Sequence, residues 1–494
     1  MEILNISVDQ PTSSMPTRSI VKKHTTPKVQ HMPYTEIAKK MMTEEEVHQK
    51  QEGLEENKDS PEQVNEMTEM YAKVFQGIGC HKYRQITLDV DPETKQQIQI
   101  QRKIPFAKRT QLDEILQEFE EEDIIEEVQG PTEWISNLVL TPKKDNKLRM
   151  NIDMTTANKA IKRTRHIIPT LEELKYNLNG ATIFSKLDMK QGYMQFQLHL
   201  SSCHMTVFYP HQGLRQMKRV SFRTNSVAEL FHKQIKKTLS DIPNCENIYD
   251  DILVYGRDQE EHNKTLMRVL QCMEDCGLTL KKEKCEFNKA EIKFFGCIFS
   301  KEGMRTDPEK VRAIAEAKEP QTVPEMRSFL GMCNFCAHFI ENDAMITAPL
   351  REMTKRGAKF EWTEKGIVSF NKLKQALCQE TTLGYYDPQA TTRIYVDGSK
   401  KDGVGCILSQ LDKRTREYRP IRYNSRPLKD AETRYSQIEV ESLAVYYGIT
   451  KNYIYLYGMK DFEVVTDNLL LLPLYNKYKQ EMPLRQWYND TVSG

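Results

Sequence analysis

The sequence has no run of about 18 apolar residues, the length at which a segment becomes a candidate membrane-spanning helix. Its N-terminus also lacks the basic segment followed by an apolar stretch that marks a secretory signal. We therefore expect a protein that is not secreted and has no membrane partner. The expected location is intracellular, in the cytoplasm, the nucleus or both.

Paired cysteine spacing is also missing, because the eleven cysteines are odd in number and scattered along the chain. This favours reduced thiols over a disulfide framework. Cys333 and Cys336, followed by His338, have the spacing of a zinc knuckle, but no second Cys/His pair lies nearby to complete four ligands. The same segment has helical periodicity, so the alternative to a zinc-dependent regulatory protein is a buried amphipathic helix.

The net charge of +1 is small because acidic and basic segments offset each other. Acidic residues gather at 44–60 and 118–127, whereas basic residues cluster in TPKKDNKLR, NKAIKRTRH and LTLKKEKC. Basic patches of this kind suit a groove that binds phosphates. Solvated loop tips explain any single patch equally well.

With 494 residues the chain exceeds the size of a single core, which predicts two to four folded units. Residues 1–65 are polar and poor in aromatics, so we expect a disordered leader there. Helical periodicity predicts, among others, a helix over 259–277 that ends at Gly277. A nearly all-helical region follows at 303–380, and alternating strands and helices begin again at 381–494.

Three aspartates interrupt apolar strands. The predicted strand TIFSKLD ends on Asp188, and the hairpin ENIYDDILVYG carries Asp250 and Asp251 at its centre. Burying such charges costs free energy, which a divalent cation can recover. A solvated turn is the alternative for the doublet taken alone.

The segments FSKLDMKQGYMQFQL, IYDDILVYG and KFFGCIF, in this order, resemble the palm motifs of reverse transcriptases of gypsy-type LTR retrotransposons. The segments GPTEWISNLVLTPKKD, FLGMCNFCAHFI and TRYSQIEVESLAV are similar to further signatures of that family. The resemblance implies an α+β and α/β multidomain fold, a right-hand polymerase followed by a ribonuclease H-like domain. Fingers and palm would occupy 66–302, a helical thumb or connection 303–380, and a C-terminally truncated ribonuclease H-like domain 381–494.

This resemblance assigns catalysis to Asp188, Asp250 and Asp251, as ligands of two Mg²⁺ ions, with Mn²⁺ as the alternative metal. The reaction would be nucleotidyl transfer from a dNTP to the 3′-hydroxyl of a primer strand on an RNA or DNA template. Because neighbouring strand residues face opposite sides, we expect Asp188 and Asp250 to bridge the metals and Asp251 to be more peripheral.

Four further positions match family motifs. Arg149 would grip the triphosphate, Tyr193 would act as the steric gate against ribose, and Lys284 would lie near the nucleotide phosphates. Gly296 matches the primer-grip glycine, whose backbone approaches the primer. Without the resemblance, Arg149 would be an ordinary exposed strand residue and Tyr193 a core residue.

The sequence also departs from the family. Arg223 stands where the family has a glycine beneath the nascent base pair, Thr155 replaces a usual arginine, and Ile248 replaces a Tyr or Phe. Arg223, Thr155 and the truncated C-terminal end keep a second function open, namely a catalytically decayed retroelement relic that still binds nucleic acid, whereas position 248 varies within the family. The oligomeric state is left open.

The segments RIYVDGS, YSQIEVE and VVTDN resemble a ribonuclease H domain. The resemblance implies that Asp397, Glu439 and Asp467 are catalytic metal ligands that cut the RNA strand of an RNA:DNA hybrid. Surface acids at element ends are the alternative. The family has a fourth acidic residue in a later segment that this sequence does not reach, so we expect weak or absent ribonuclease H activity.

Overall fold

The computed structural model describes residues 2–7, 60–142, 148–355, 357, 359–379 and 381–471. These residues belong to two compact units, one within 27–174 and 180–294 and the other within 1–26, 175–179 and 295–494. Across the described ranges, no helix combines the length and apolar character needed to cross a bilayer.

The strands are β1 (Glu2–Ser7), β2 (Gln85–Ile86), β3 (Ile125–Glu127), β4 (Ser136–Pro142), β5 (Leu148–Ile152), β6 (Ile183–Asp188), β7 (Gln197–Leu198), β8 (Phe208–Tyr209), β9 (Arg215–Met217), β10 (Cys245–Ile248), β11 (Asp251–Gly256), β12 (Glu286–Lys289), β13 (Glu291–Phe294), β14 (Cys297–Ser300), β15 (Gly303–Thr306), β16 (Thr392–Ser399), β17 (Gly403–Leu411), β18 (Tyr418–Arg426) and β19 (Asp461–Thr466).

The α-helices are α1 (Ser60–Met70), α2 (Arg109–Glu121), α3 (Leu171–Asn177), α4 (Leu200–Cys203), α5 (Val227–Thr238), α6 (Gln259–Cys276), α7 (Pro308–Ala315), α8 (Val323–Cys336), α9 (Asp343–Glu352), α10 (Glu364–Cys378), α11 (Gln437–Lys451) and α12 (Tyr453–Leu456).

The first unit is built around a four-stranded sheet in the order β10-β11-β6-β12, with β11 antiparallel to both β10 and β6. Helix α6 packs on it because one face of the helix is apolar, and Leu266, Val269 and Leu270 are fully buried. The Asp258 side chain caps α6 by accepting from the Glu261 amide at 2.8 Å. Gly277, in the left-handed conformation, ends the helix as predicted.

A second sheet of this unit has the order β3-β9-β8-β4-β5. Strands β4 and β5 pair antiparallel, with Thr141 opposite Arg149. Residues 143–147, which connect these two strands, lie outside the described residues.

Helices α7 to α10 form a separate helical cluster in the second unit, with a core that includes Phe329, Leu350 and Phe370. Cys333 and Cys336 are both about 1% exposed and belong to this core. Burial raises the pKa of the Cys333 thiol to about 12. The pair therefore fits the buried-helix alternative, since a neutral thiol in an apolar core behaves as a small hydrophobic side chain.

The C-terminal sheet has the order β1-β19-β16-β17-β18. Strand β16 is parallel to β19 and antiparallel to β17, and α11 packs against β16 and β17. Its core contains apolar residues from both layers, among them Ile394, Leu408, Ala444 and Val464. This arrangement brings the carboxyl-terminal ends of β16 and β19 to the same edge of the sheet.

The expected disordered leader falls mostly on residues outside the described ranges. It is wrong for Glu2–Ser7, which forms β1 antiparallel to β19, with Glu2 opposite Thr466. It is also wrong for the residues from Ser60 onward, where α1 begins. Strand pairing with a distant segment supplies the backbone hydrogen bonds that local composition does not reveal.

Candidate functional site

Asp188 and Asp251 lie directly opposite each other on the neighbouring strands β6 and β11. Asp188 is the last residue of β6 and Asp251 the first of β11, and the two are register partners. Asp250 lies in the turn that precedes β11, after Tyr249 with φ of +54°. The strand alternation that predicted Asp188 and Asp250 as the bridging pair therefore does not apply, because the chain reverses at Tyr249 and Asp250 is not part of the strand.

Asp250 carries the most perturbed carboxyl group of this cluster. Its Oδ1 is buried and has no hydrogen-bond partner among the described residues. Burial raises the pKa of Asp250 to about 6, and the negative charges of Asp251 and Asp188 add to the effect. An oxygen in this state is poised to accept a cation, since burial without a partner costs free energy.

Two lysines neutralise the other two aspartates. The Lys284 ammonium lies 3.2 Å from Oδ2 of Asp188, and that of Lys186 lies 3.3 Å from Oδ2 of Asp251. Lys284 thus contacts the acidic cluster, and its place near the nucleotide phosphates stays a prediction. Lys186 was not singled out from the sequence, although its place two residues before Asp188 on the same strand face could have indicated it.

Tyr193 follows Asp188 in a short turn and is held by aromatic neighbours. Its ring makes edge contacts with Phe222 and Phe231, at centroid distances of 4.8 and 4.9 Å. Burial, with the nearby Asp250 charge second, raises the Tyr193 pKa to about 12, so the hydroxyl stays protonated at neutral pH. These two contacts therefore hold the Tyr193 ring in a fixed position beside the acidic cluster.

The absence of a side chain at Gly192 allows the turn that carries Tyr193 to lie close to Asp250. A Cβ there would lie 3.0 Å from Cζ of Phe231 and 3.3 Å from Oδ1 of Asp250. A side chain at this position would be in tight contact with both groups, so one of them would have to shift. The glycine immediately before Tyr193 was the sequence signal for this close approach.

Arg223 adopts a backbone conformation that suits the glycine it replaces. Its φ is +67°, in the left-handed region, and its side chain is exposed. The Asn158 side chain holds the segment by donating from Nδ2 to the Arg223 carbonyl at 2.8 Å and accepting from the Asn225 amide at 2.7 Å. The second departure, Thr155, donates to Oδ1 of Asp153 at 2.6 Å and so stabilises a local turn.

Arg149 and Gly296 are the two remaining residues that the sequence predicts to bind the nucleotide or the primer. Arg149 is exposed on β5. Gly296 has φ of +77°, and Lys310 and Phe335 occupy the space that a side chain at 296 would need. The Lys310 ammonium lies 3.7 Å from the centre of the Phe335 ring, a cation–π contact that depends on this glycine.

A second acidic cluster lies at the edge of the C-terminal sheet. Asp397 on β16, Glu441 on α11 and Asp467 just after β19 each offer one oxygen within 4.8 Å of the others. Gly398 makes this possible, because a Cβ there would lie only 2.7 Å from the Val440 carbonyl oxygen. Helix α11 can therefore approach β16 closely enough to bring Glu441 to Asp397.

The prediction of Glu439 as the ligand from α11 was wrong. Its carboxylate accepts from the amide and the hydroxyl of Ser436, both at 2.7 Å, and completes a capping box. These hydrogen bonds lower the pKa of Glu439. The spacing of Ser436 and Glu439 is itself a capping-box pattern, a signal that could have indicated Glu441 in place of Glu439.

Glu441 is only 5% exposed, whereas Asp397 and Asp467 are exposed. Burial raises the pKa of Glu441, and the charges of Asp467 and Asp397 act in the same direction. Its Oε2 is buried without a hydrogen-bond partner among the described residues. This repeats the situation of Asp250, with one buried, unpartnered carboxylate oxygen next to two other acids, and both donor sets fit a divalent cation.

Two regions of the chain match models of known families. Residues 141–299 match the family described as reverse transcriptase (RNA-dependent DNA polymerase), and residues 362–464 match the RNase H-like domain found in reverse transcriptase. The chain joins a reverse transcriptase domain to a ribonuclease H-like domain. Each acidic cluster lies within or next to one of these matched regions.

Curated relatives point to retrotransposons. The chain is 28% identical over 338 residues to the Transposon Tf2-3 polyprotein of Schizosaccharomyces pombe, which covers 68% of this chain and 25% of the relative. The Transposon Tf2-7 polyprotein of the same organism is 27% identical over the same length. The chain thus spans about a quarter of the length of these relatives and corresponds to the reverse transcriptase–ribonuclease H region of a polyprotein.

Solved structures support the mixed α/β multidomain fold. A foamy viral protease-reverse transcriptase in complex with double-stranded DNA superposes with a TM-score of 0.75 at 18% identity, over 94% of this chain and 96% of that chain. The same viral protein in complex with an RNA/DNA hybrid gives a TM-score of 0.67 over 89% of this chain and 58% of that chain. At this identity the likeness shows the fold.

Proposed function

We propose that the chain is the reverse transcriptase and ribonuclease H region of a gypsy-type LTR retrotransposon and catalyses RNA-directed DNA synthesis. The observation that carries this proposal is the buried Oδ1 of Asp250, which has no partner within the described part of the chain, beside Asp188 and Asp251. Burying such an oxygen lowers the stability of the metal-free protein, and a bound cation would compensate for this loss. The reverse transcriptase family match over the same residues supports this chemistry.

Asp188, Asp250 and Asp251 would hold divalent cations, Mg²⁺ or Mn²⁺. Bound there, the cations would supply the positive charge that stabilises the attacking primer 3′-oxygen and the leaving pyrophosphate. The Lys284 ammonium, which pairs with Asp188, offers a further positive charge to the phosphates of the dNTP. The Tyr193 ring would clash with a ribose 2′-hydroxyl and so favour deoxynucleotides.

The second activity we propose is cleavage of the RNA strand of an RNA:DNA hybrid. Asp397, Glu441 and Asp467 would hold the divalent cation that this hydrolysis uses. The match to an RNase H-like domain over residues 362–464 supports this assignment. The polymerase would use a template strand, a primer and dNTPs, and the ribonuclease H would use an RNA:DNA hybrid, both inside the cell.

Arg223 supports a second candidate function, a decayed retroelement relic that binds nucleic acid. The backbone there has the conformation that favours glycine, yet an arginine occupies it. Arg223 directly follows Phe222, whose ring packs on Tyr193, and in this candidate its long cationic side chain would obstruct the nucleotide site. A chain of this kind would bind nucleic acid without extending a primer.

The test is Mg²⁺-dependent extension of a DNA primer on an RNA template by the purified chain and three variants. Asp250→Asn should abolish synthesis, because it removes a metal ligand without changing shape. Asp91→Asn is the matched control, since Asp91 pairs with Lys162 at 3.9 Å in the same unit and holds no proposed ligand position. Synthesis by the wild-type chain establishes the polymerase, and synthesis by Arg223→Gly alone establishes the relic.

A further inference from the structure

Gln437 connects the two elements that build the second acidic cluster. It lies one turn before Glu441 on α11, and its Nε2 donates to the Gly398 carbonyl oxygen at 2.6 Å and to Oε1 of Glu441 at 2.9 Å. A side-chain amide nitrogen has two hydrogens, so both are used. Gly398 directly follows Asp397, and the amide therefore ties the helix acid to the strand that carries the other acid.

This contact makes the two oxygens of Glu441 unequal. Oε1 accepts the hydrogen bond from Gln437, whereas Oε2 is buried without a partner among the described residues. The carboxylate offers an oxygen to the group it forms with Asp397 and Asp467, in which the oxygens lie within 4.8 Å of one another. A glutamate has three rotatable side-chain bonds, and holding one oxygen fixes the direction of the other.

We propose that Gln437 is a positioning residue that fixes Glu441 so that its Oε2 faces Asp397 and Asp467 as a metal ligand. The inference rests on the proposed ribonuclease H function, since it needs a cation at this cluster. Hydrogen-bonded partners of ligating carboxylates orient them, and losing such a partner typically weakens metal binding by about 10- to 100-fold. A neutral amide suits this task because it donates without adding a charge to a cluster of three acids.

The test replaces Gln437 by methionine, which has a similar length, favours helix and cannot donate. Gln437→Ala serves as a second variant. The matched control is Gln410→Met, because Gln410 makes an equivalent amide bridge in the same sheet, to the Asp387 carbonyl at 2.8 Å and to Thr392 at 2.9 Å. All variants are made in the full chain with Asp188→Asn and Asp250→Asn, so that metal binding reports on the second cluster.

Mn²⁺ affinity is measured by electron paramagnetic resonance, and the thermal midpoint is measured in EDTA. We expect Gln437→Met and Gln437→Ala to weaken Mn²⁺ binding by about 10-fold or more. Gln410→Met should leave the affinity unchanged even if it lowers the thermal midpoint.

Unchanged affinity in both Gln437 variants, with Mn²⁺ bound by the parent, overturns the positioning role and leaves the metal site intact. An equal loss in Gln410→Met assigns the effect to general destabilisation and also overturns the role. A parent chain that binds no Mn²⁺ overturns the metal site, and the positioning role falls with it.

Discussion

Asp250→Asn should stabilise the metal-free protein while it abolishes DNA synthesis. In the folded chain the pKa of Asp250 is raised from 3.8 to about 6, chiefly by burial. A shift of about two units corresponds to about 3 kcal/mol at 1.36 kcal/mol per unit. Because the side chain is only partly buried, solvent screening reduces this to about 1–2 kcal/mol.

The sign of the pH dependence follows from the raised pKa. A group whose folded pKa lies above its unfolded value costs the native state stability as the pH rises through that interval. The wild-type chain should therefore lose stability between about pH 4 and pH 6, whereas Asp250→Asn should not. The advantage of the variant should be complete at pH 8 and reduced to about half at pH 5.

Urea unfolding in EDTA at pH 5 and pH 8 measures this difference. Asp251→Asn is the comparison, because its loss leaves Lys186 without the partner that lies 3.3 Å away, so no gain is expected. Added Mg²⁺ should reverse the order, since only the wild-type chain keeps all the ligands. A gain of the same size at both pH values, or no gain at pH 8, would refute the electrostatic account of Asp250.

Three further changes have defined outcomes. Arg223→Gly should raise the free energy of unfolding by about 1 kcal/mol, because the left-handed conformation strains a residue with a side chain. Arg416→Gly, at φ of +60°, should raise it by as much without altering primer extension. Gly398→Ala should cost about 1–3 kcal/mol, measured by thermal unfolding, since the new methyl would meet the helix backbone at 2.7 Å. Glu441→Gln should abolish hybrid cleavage, whereas Glu439→Gln should retain it and lower only the thermal midpoint.

Local signals in the sequence predicted the elements that carry the polymerase cluster. Helix α6 runs from Gln259 to Cys276 and ends at Gly277, as periodicity and the glycine indicated. The hairpin around Asp250 and Asp251 also forms as expected, because apolar runs on both sides make paired strands the way to satisfy their backbone groups. Both features depend on residues that are neighbours in sequence.

Local sequence signals could not predict contacts between segments that are far apart in the chain. The ion pair of Lys186 with Asp251 depends on strand register, and strand β1 pairs with β19, which is far from it in the sequence. The choice between Glu439 and Glu441 depended on which face of α11 turns toward β16. Helix phase could have been derived from the capping box, which fixes Glu439 at the exposed first turn.

The two acidic clusters share one arrangement on unrelated sheets. Each has one buried carboxylate oxygen, at Asp250 and at Glu441, that finds no partner in the parts of the chain that the structure describes, next to acids from other elements. In the metal-free protein this arrangement costs stability, since burial and like charges raise the pKa of both groups. Asn at position 250 and Gln at position 441 would make the metal-free fold more stable. Divalent cations bound at the two proposed metal sites would offset this cost in free energy.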